Sequence, residues 1–150
     1  MRAEKWSGHL WLLYAAWLVS VIATLGSLYF SEIMHFIPCE LCWYQRILMY
    51  PLTILLGFAA YFGEFQIRKY VLSMAIIGVS FSVHHYLLQK WPGYGGFMTC
   101  SQGIPCNQDY IDWFGFVTIP LLAMAAFLLI IGMISWSLIK ERFERKADTE

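Results

Sequence analysis

Apolar residues dominate four stretches of the chain, 10–30, 42–62, 70–88 and 113–139, with short polar segments between them. Each run is close to or above the ~20 residues that a helix needs to cross ~30 Å of hydrocarbon. Arg46 is the one fully charged residue inside any of them. A membrane β-barrel would show short alternating segments instead. The pattern predicts an all-α integral membrane protein: a four-transmembrane-helix bundle, one membrane domain over residues 1–150, with outer loops at 31–41 and 89–112. Residues 1–9 read as a short polar tail. The first run exceeds the ~7–15 residues of a signal-peptide core and no small-residue cleavage pattern follows it, so it is read as a retained span. Pro51 predicts a kink in the second span, and Pro120 falls near the first turns of the fourth. Residues 63–69 form a tight turn, and 140–150 a solvated helix end.

Composition sharpens this picture. Of 150 residues, 59% are hydrophobic and 13% charged, against about 45–50% and about 25% in soluble domains. A formal net charge of zero removes the electrostatic case for nucleic-acid binding. The basic residues then orient the bundle. Arg2, Lys5, Arg68, Lys69, Lys140, Arg142, Arg145 and Lys146 fall on one side, and only Lys90 on the other. That bias predicts cytoplasmic termini and a cytoplasmic middle loop, in contact with membrane lipid throughout the spans. All four cysteines then lie at the outer face, where disulfides persist.

The chemistry is concentrated in Pro38-Cys39-Glu40-Leu41-Cys42 with Gln45-Arg46. Pro38 suits a helix start. Cysteines in a first turn meet unpaired N–H groups and the helix dipole, which favour a thiolate. Helical spacing puts Arg46 on the face of both sulfurs. An arginine so far into an apolar run is a functional candidate by default, although it is near enough to the outer end to snorkel. Gln45 lies one residue off that face and ranks lower. A Cys-x-x-Cys pair also serves zinc sites, or is simply buried. A second pair, Cys100 and Cys106, flanks Ser101-Gln102-Gly103-Ile104-Pro105 in a loop punctuated by glycine and proline. A disulfide closing so short a loop adds little stability and suits exchange instead. His84 and His85 end the third span. They are interfacial residues, or one of them is a proton carrier or ligand donor beside the redox site. Only one of two adjacent helical residues faces the bundle interior, and spacing does not say which.

Four spans, Cys-x-x-Cys followed four residues later by arginine, and a cysteine pair in the second outer loop resemble the DsbB family of bacterial thiol-oxidising quinone reductases. The short spacing of Cys100 and Cys106 is closest to the compact, BdbC-type members. The resemblance implies an oxidoreductase of the bacterial cytoplasmic membrane. Its cofactor would be a quinone, menaquinone or ubiquinone, and no metal is implied. Its partner would be a soluble extracytoplasmic thioredoxin-like thiol oxidase of the DsbA/BdbD type. It further implies that Cys100 takes the partner, Cys106 exchanges with Cys39, and Cys42 faces the quinone beside Arg46. His84 and His85 are added as candidate cofactor contacts on the chemistry of imidazole alone. A vitamin K epoxide reductase-like enzyme is the near alternative, but its loop pair would precede the Cys-x-x-Cys. A soft-metal-binding membrane protein is the alternative from another class.

Overall fold

A computed structural model describes residues 2–91, 106 and 116–147, with side chains from residue 10 onward. Four long helices are present: α1 (Arg2–Leu28), α2 (Glu40–Phe62), α3 (Arg68–Lys90) and α4 (Ile119–Ala147). All four contain windows long and apolar enough to cross a membrane. Each helix packs on its neighbours in sequence, and α1 closes the ring against α4. The start of α2 meets the end of α1 (Arg46 to Ser27) and the end of α3 (Cys39 to His85). The start of α3 meets the end of α4 through Arg68 and Glu141. The bundle therefore runs up-down-up-down.

The boundaries differ from those predicted in instructive ways. Helix α1 begins at Arg2, inside the expected polar tail, and ends in a π-helical turn, Tyr29–Ile33. Helix α2 starts two residues before the predicted span and runs through Pro51 to Phe62. Gly63, with φ 69°, ends it in the left-handed region that favours glycine. The fourth span starts at Ile119 rather than Trp113: the Thr118 carbonyl accepts the first helical bond, from Leu122. Pro120 thus sits in the first turn, where its missing N–H has no partner to lose. Residues 113–115 lie outside the described part.

The inward face of α3 is a strict seam: Arg68, Val71, Ala75, Gly78, Ser82 and His85. These 3-4 spacings are those of left-handed helix packing. Gly78 matters sterically, since a Cβ there would come within 2.5 Å of the Phe127 ring on α4. Leu52, Leu56, Phe127, Ile130 and Ile134 complete a dry core. Many outward residues are equally apolar, among them Ile22, Leu25, Ile47, Ile54 and Phe58, as a lipid-facing surface needs. Polar groups turn inward instead. Thr24 and Thr53 bridge α1 and α2 through hydroxyls 2.9 Å apart. Arg68, expected in the middle loop, is buried: it donates to the Phe65 carbonyl at 2.9 Å and to Ser137 at 2.7 Å, and pairs with Glu141.

Candidate dithiol site and membrane cavity

Cys39 is the N-cap of α2, with extended backbone (φ −71°, ψ 172°), and its sulfur accepts from the Cys42 N–H at 3.4 Å. Pro38 immediately before it suits that extended entry. Cys42 follows in the first turn, and its Sγ lies 2.8 Å from that of Cys39, both thiols being free. The helix start therefore aims both sulfurs at one point, but only Cys42 continues down the helical face to Arg46. Cys39 turns toward α3.

There it meets His85, which is buried, with Nε2 3.6 Å from the Cys39 sulfur. The same nitrogen is 3.2 Å from the Cys106 carbonyl oxygen, and Nδ1 is 3.2 Å from Nε2 of buried Gln45. The amide N–H of Gln45 donates to Nδ1, which leaves the ring proton on Nε2. That proton points at the Cys106 carbonyl and the Cys39 sulfur. The Cys39 thiol is held below its ordinary value, first by the hydrogen bond from the Cys42 thiol and then, against the opposing effect of burial, by His85. Cys106 is buried, disulfide-bonded, and packed in one small cluster with Cys39 and Leu41.

Cys42 opens on the other side into a cavity of about 490 Å³, within the range of small-molecule sites. Helix α2 lines it with Cys42, Gln45, Arg46, Met49 and Tyr50; α1 and α4 add Val19, Ala23, Ala126 and Phe127, and Phe36 to Pro38 cover its outer end. Ile22, Leu122 and Leu129, which also line it, are exposed on the apolar outer surface of the bundle, so the cavity reaches the surface that faces lipid in a membrane. Arg46 donates to the Ser27 carbonyl at 3.0 Å and lies over the Trp43 ring, 5.6 Å from its centroid. Its guanidinium spans to α1 at the cavity wall.

Of the residues singled out from sequence, the fold brings Cys39, Cys42, Arg46, His85 and Cys106 together. Cys100 lies outside the described residues. His84 is not among the residues lining the cavity, and His85 touches Cys39. Gln45, ranked low on its helical angle, proves a buried link between α2 and α3; its polarity inside an apolar run was the available signal. Cys39, Cys42 and His85 also offer three metal-type ligand atoms within 4.8 Å of one another. The two sulfurs, 2.8 Å apart, are closer than the roughly 3.8 Å that two thiolates at ~2.3 Å from a tetrahedral zinc would keep. A small closure would bring them to the ~2.05 Å of a disulfide.

A dithiol at a membrane-helix mouth, flanked by a cavity open to lipid, defines a membrane thiol–disulfide oxidoreductase. Comparison with known proteins names the family. The model for disulfide bond formation protein DsbB matches residues 8–139. The chain is 63% identical to disulfide bond formation protein C of Bacillus subtilis (strain 168), over 79% of this chain and 86% of that one. It is 48% identical to probable disulfide formation protein C 1 of Bacillus anthracis (87% and 93% covered). It is also 48% identical to a probable disulfide formation protein of Coxiella burnetii (strain RSA 493 / Nine Mile phase I; 78% and 80% covered). The chain belongs to the DsbB family and is a disulfide bond formation protein of the membrane. No solved structure matches it.

Proposed function

We propose that this protein is a thiol:quinone oxidoreductase that reoxidises a soluble, extracytoplasmic thioredoxin-like thiol oxidase and passes two electrons to a membrane quinone. The observation that carries the reading is the division between the two sulfurs: Cys42 lines an apolar cavity open to lipid, while Cys39 packs against Cys106. In the relay, the partner's dithiol reduces the Cys100–Cys106 disulfide. The Cys106 thiolate attacks the Cys39 sulfur of an oxidised Cys39–Cys42 pair, and Cys42 leaves with an electron pair at the cavity wall. Cys100 then attacks Cys106, re-forming the loop disulfide, and Cys39 leaves as a thiolate. A thiol with a lowered pKa leaves faster, which is what the environment of Cys39 supports. The His85 N–H, fixed by Gln45, stabilises that leaving sulfur and holds the Cys106 backbone beside it.

A bound quinone would supply a two-electron, two-proton acceptor, and the Cys39–Cys42 dithiol would close to a disulfide. The cavity fits such a ligand: apolar walls for the ring and tail, and the Arg46 guanidinium for an oxygen that gains charge. The basic-residue bias supports cytoplasmic termini, with the cysteine end outside. A reporter fused after Glu150 should behave as cytoplasmic and one inserted at Gly95 as external. The decisive test is oxidation of a reduced thioredoxin-like protein by the purified protein, with and without added quinone. Turnover only with quinone is expected; quinone-independent turnover would overturn the reading.

A further inference from the structure

Tyr50 lies four residues beyond Arg46 and eight beyond Cys42, so α2 carries it to the same side, roughly 6 Å deeper than Arg46. It lines the cavity with both. Its hydroxyl oxygen is buried and, among the described residues, has no hydrogen-bond partner. Buried hydroxyls are almost always paired, because water no longer satisfies them. A phenylalanine would fill the same wall without that penalty, so the hydroxyl calls for a ligand group. The rest of the deep wall, Val19, Ala23, Met49, Ala126 and Phe127, supplies only hydrocarbon side chains and a thioether.

We propose that Tyr50 is a quinone-positioning residue, its hydroxyl donating to the ring oxygen farther from Cys42 while Arg46 serves the nearer one. The inference rests on the quinone reading of the cavity. Two donors about one helical turn apart on one wall match a ligand with oxygens on opposite ring edges. They hold the ring in one orientation, with one edge presented to the Cys42 sulfur. The site therefore favours a 1,4-quinone carrying both oxygens over an analogue that lacks one.

The test is Tyr50→Phe, which keeps the ring and removes only the hydroxyl. The KM for quinone should rise about three- to tenfold, the loss expected for one hydrogen bond. The KM for the protein dithiol should stay unchanged. The quinone-depleted variant should melt at the wild-type temperature or above it, since an unpaired buried hydroxyl has been removed. A hydroxyl serving the fold would instead lower that temperature, and this result overturns the proposal. So does an unchanged quinone KM while the wild-type protein reduces quinone normally. A wild-type protein that reduces no quinone overturns the parent reading, and this inference with it.

Discussion

Helix α3 carries a titratable residue at each end of its inward seam, Arg68 at one and His85 at the other, both buried. Their surroundings are opposite in kind. Every nitrogen of Arg68 is engaged: it donates to Phe65, Ser137 and Glu141, Glu141 is held in turn by Arg145 at 2.9 Å, and the Phe65 ring lies 4.7 Å from the guanidinium. His85 joins groups that must change partners, a free sulfur and the backbone of a disulfide-bonded cysteine. The cavity begins beside Cys42 at that end and reaches inward to Tyr50, whose hydroxyl has no hydrogen-bond partner among the described residues. A fully satisfied buried network rigidifies a fold, whereas a partly satisfied one is where chemistry or binding completes it. In the proposed relay the two ends of one helix divide the work: one clamps the bundle and the other exchanges bonds.

The largest effect should come from the clamp. Arg68→Met removes the bonds to Phe65, Ser137 and Glu141 and should destabilise the detergent-solubilised protein by about 3 kcal/mol, since a hydrogen bond to a charged group is worth roughly 1.5–3 kcal/mol. Glu141, 36% exposed and still paired with Arg145, adds little. Thermal unfolding measures this. Below its lowered midpoint the variant should keep the wild-type quinone KM. An unchanged midpoint would mean that the clamp is not structural.

Arg46→Gln tests the other end. Losing a hydrogen bond from a charged donor, roughly 1.5–3 kcal/mol, should cut quinone turnover efficiency about ten- to hundredfold. Arg46→Lys should rescue only part, because lysine lacks the planar fork. Stability should change far less than in Arg68→Met; a comparable loss would make Arg46 a second clamp and dissolve the contrast.

A smaller effect sharpens the role of His85. Cys39 precedes the membrane span, and its lowered pKa in the reduced protein means that the thiolate persists as pH falls below the ordinary thiol value of about 8.5. The stabilisation this gives the reduced fold is complete above that value and is lost as pH falls toward the lowered one. His85→Ala removes one of the groups that lower it. The pH midpoint for alkylation of Cys39 should therefore rise, by about one unit for the loss of a hydrogen bond worth ~1.4 kcal/mol. Gln45→Leu should move it the same way by less. If His85→Ala leaves the midpoint in place, the imidazole only packs.

The smallest change lies between the ends. Thr53→Val breaks the hydroxyl bridge to Thr24 and should lower stability by about 0.6 kcal/mol, the average for such contacts between membrane helices. Its redox kinetics should be those of the wild type. A shift in quinone KM would show that the cavity's influence extends into the middle of the bundle.

The four spans, the motif at the mouth of the second and the concentration of cysteines at one end are local properties, legible from run length, spacing and residue chemistry. The DsbB resemblance rests on the same local signals. The inward faces were not legible, because a lipid-facing surface is as apolar as the core and periodicity then marks no side. That is why His84 and His85 stood level until α3 packed, and why Gln45, judged by its angle from Cys42, was ranked low although it points between α2 and α3. Arg68 read as a loop charge for the same reason: its burial depends on Ser137 and Glu141, some 70 residues later in the chain. The early start assigned to the fourth span reflects a run of aromatic and apolar residues whose hydropathy does not distinguish a helix from the approach to one. The resemblance implies separate roles for Cys39 and Cys42, and the packed bundle gives them separate surroundings. An N-cap leaves the helical path, so one sulfur turns to the loop and the other to the cavity, and tertiary contacts decide what each of them meets.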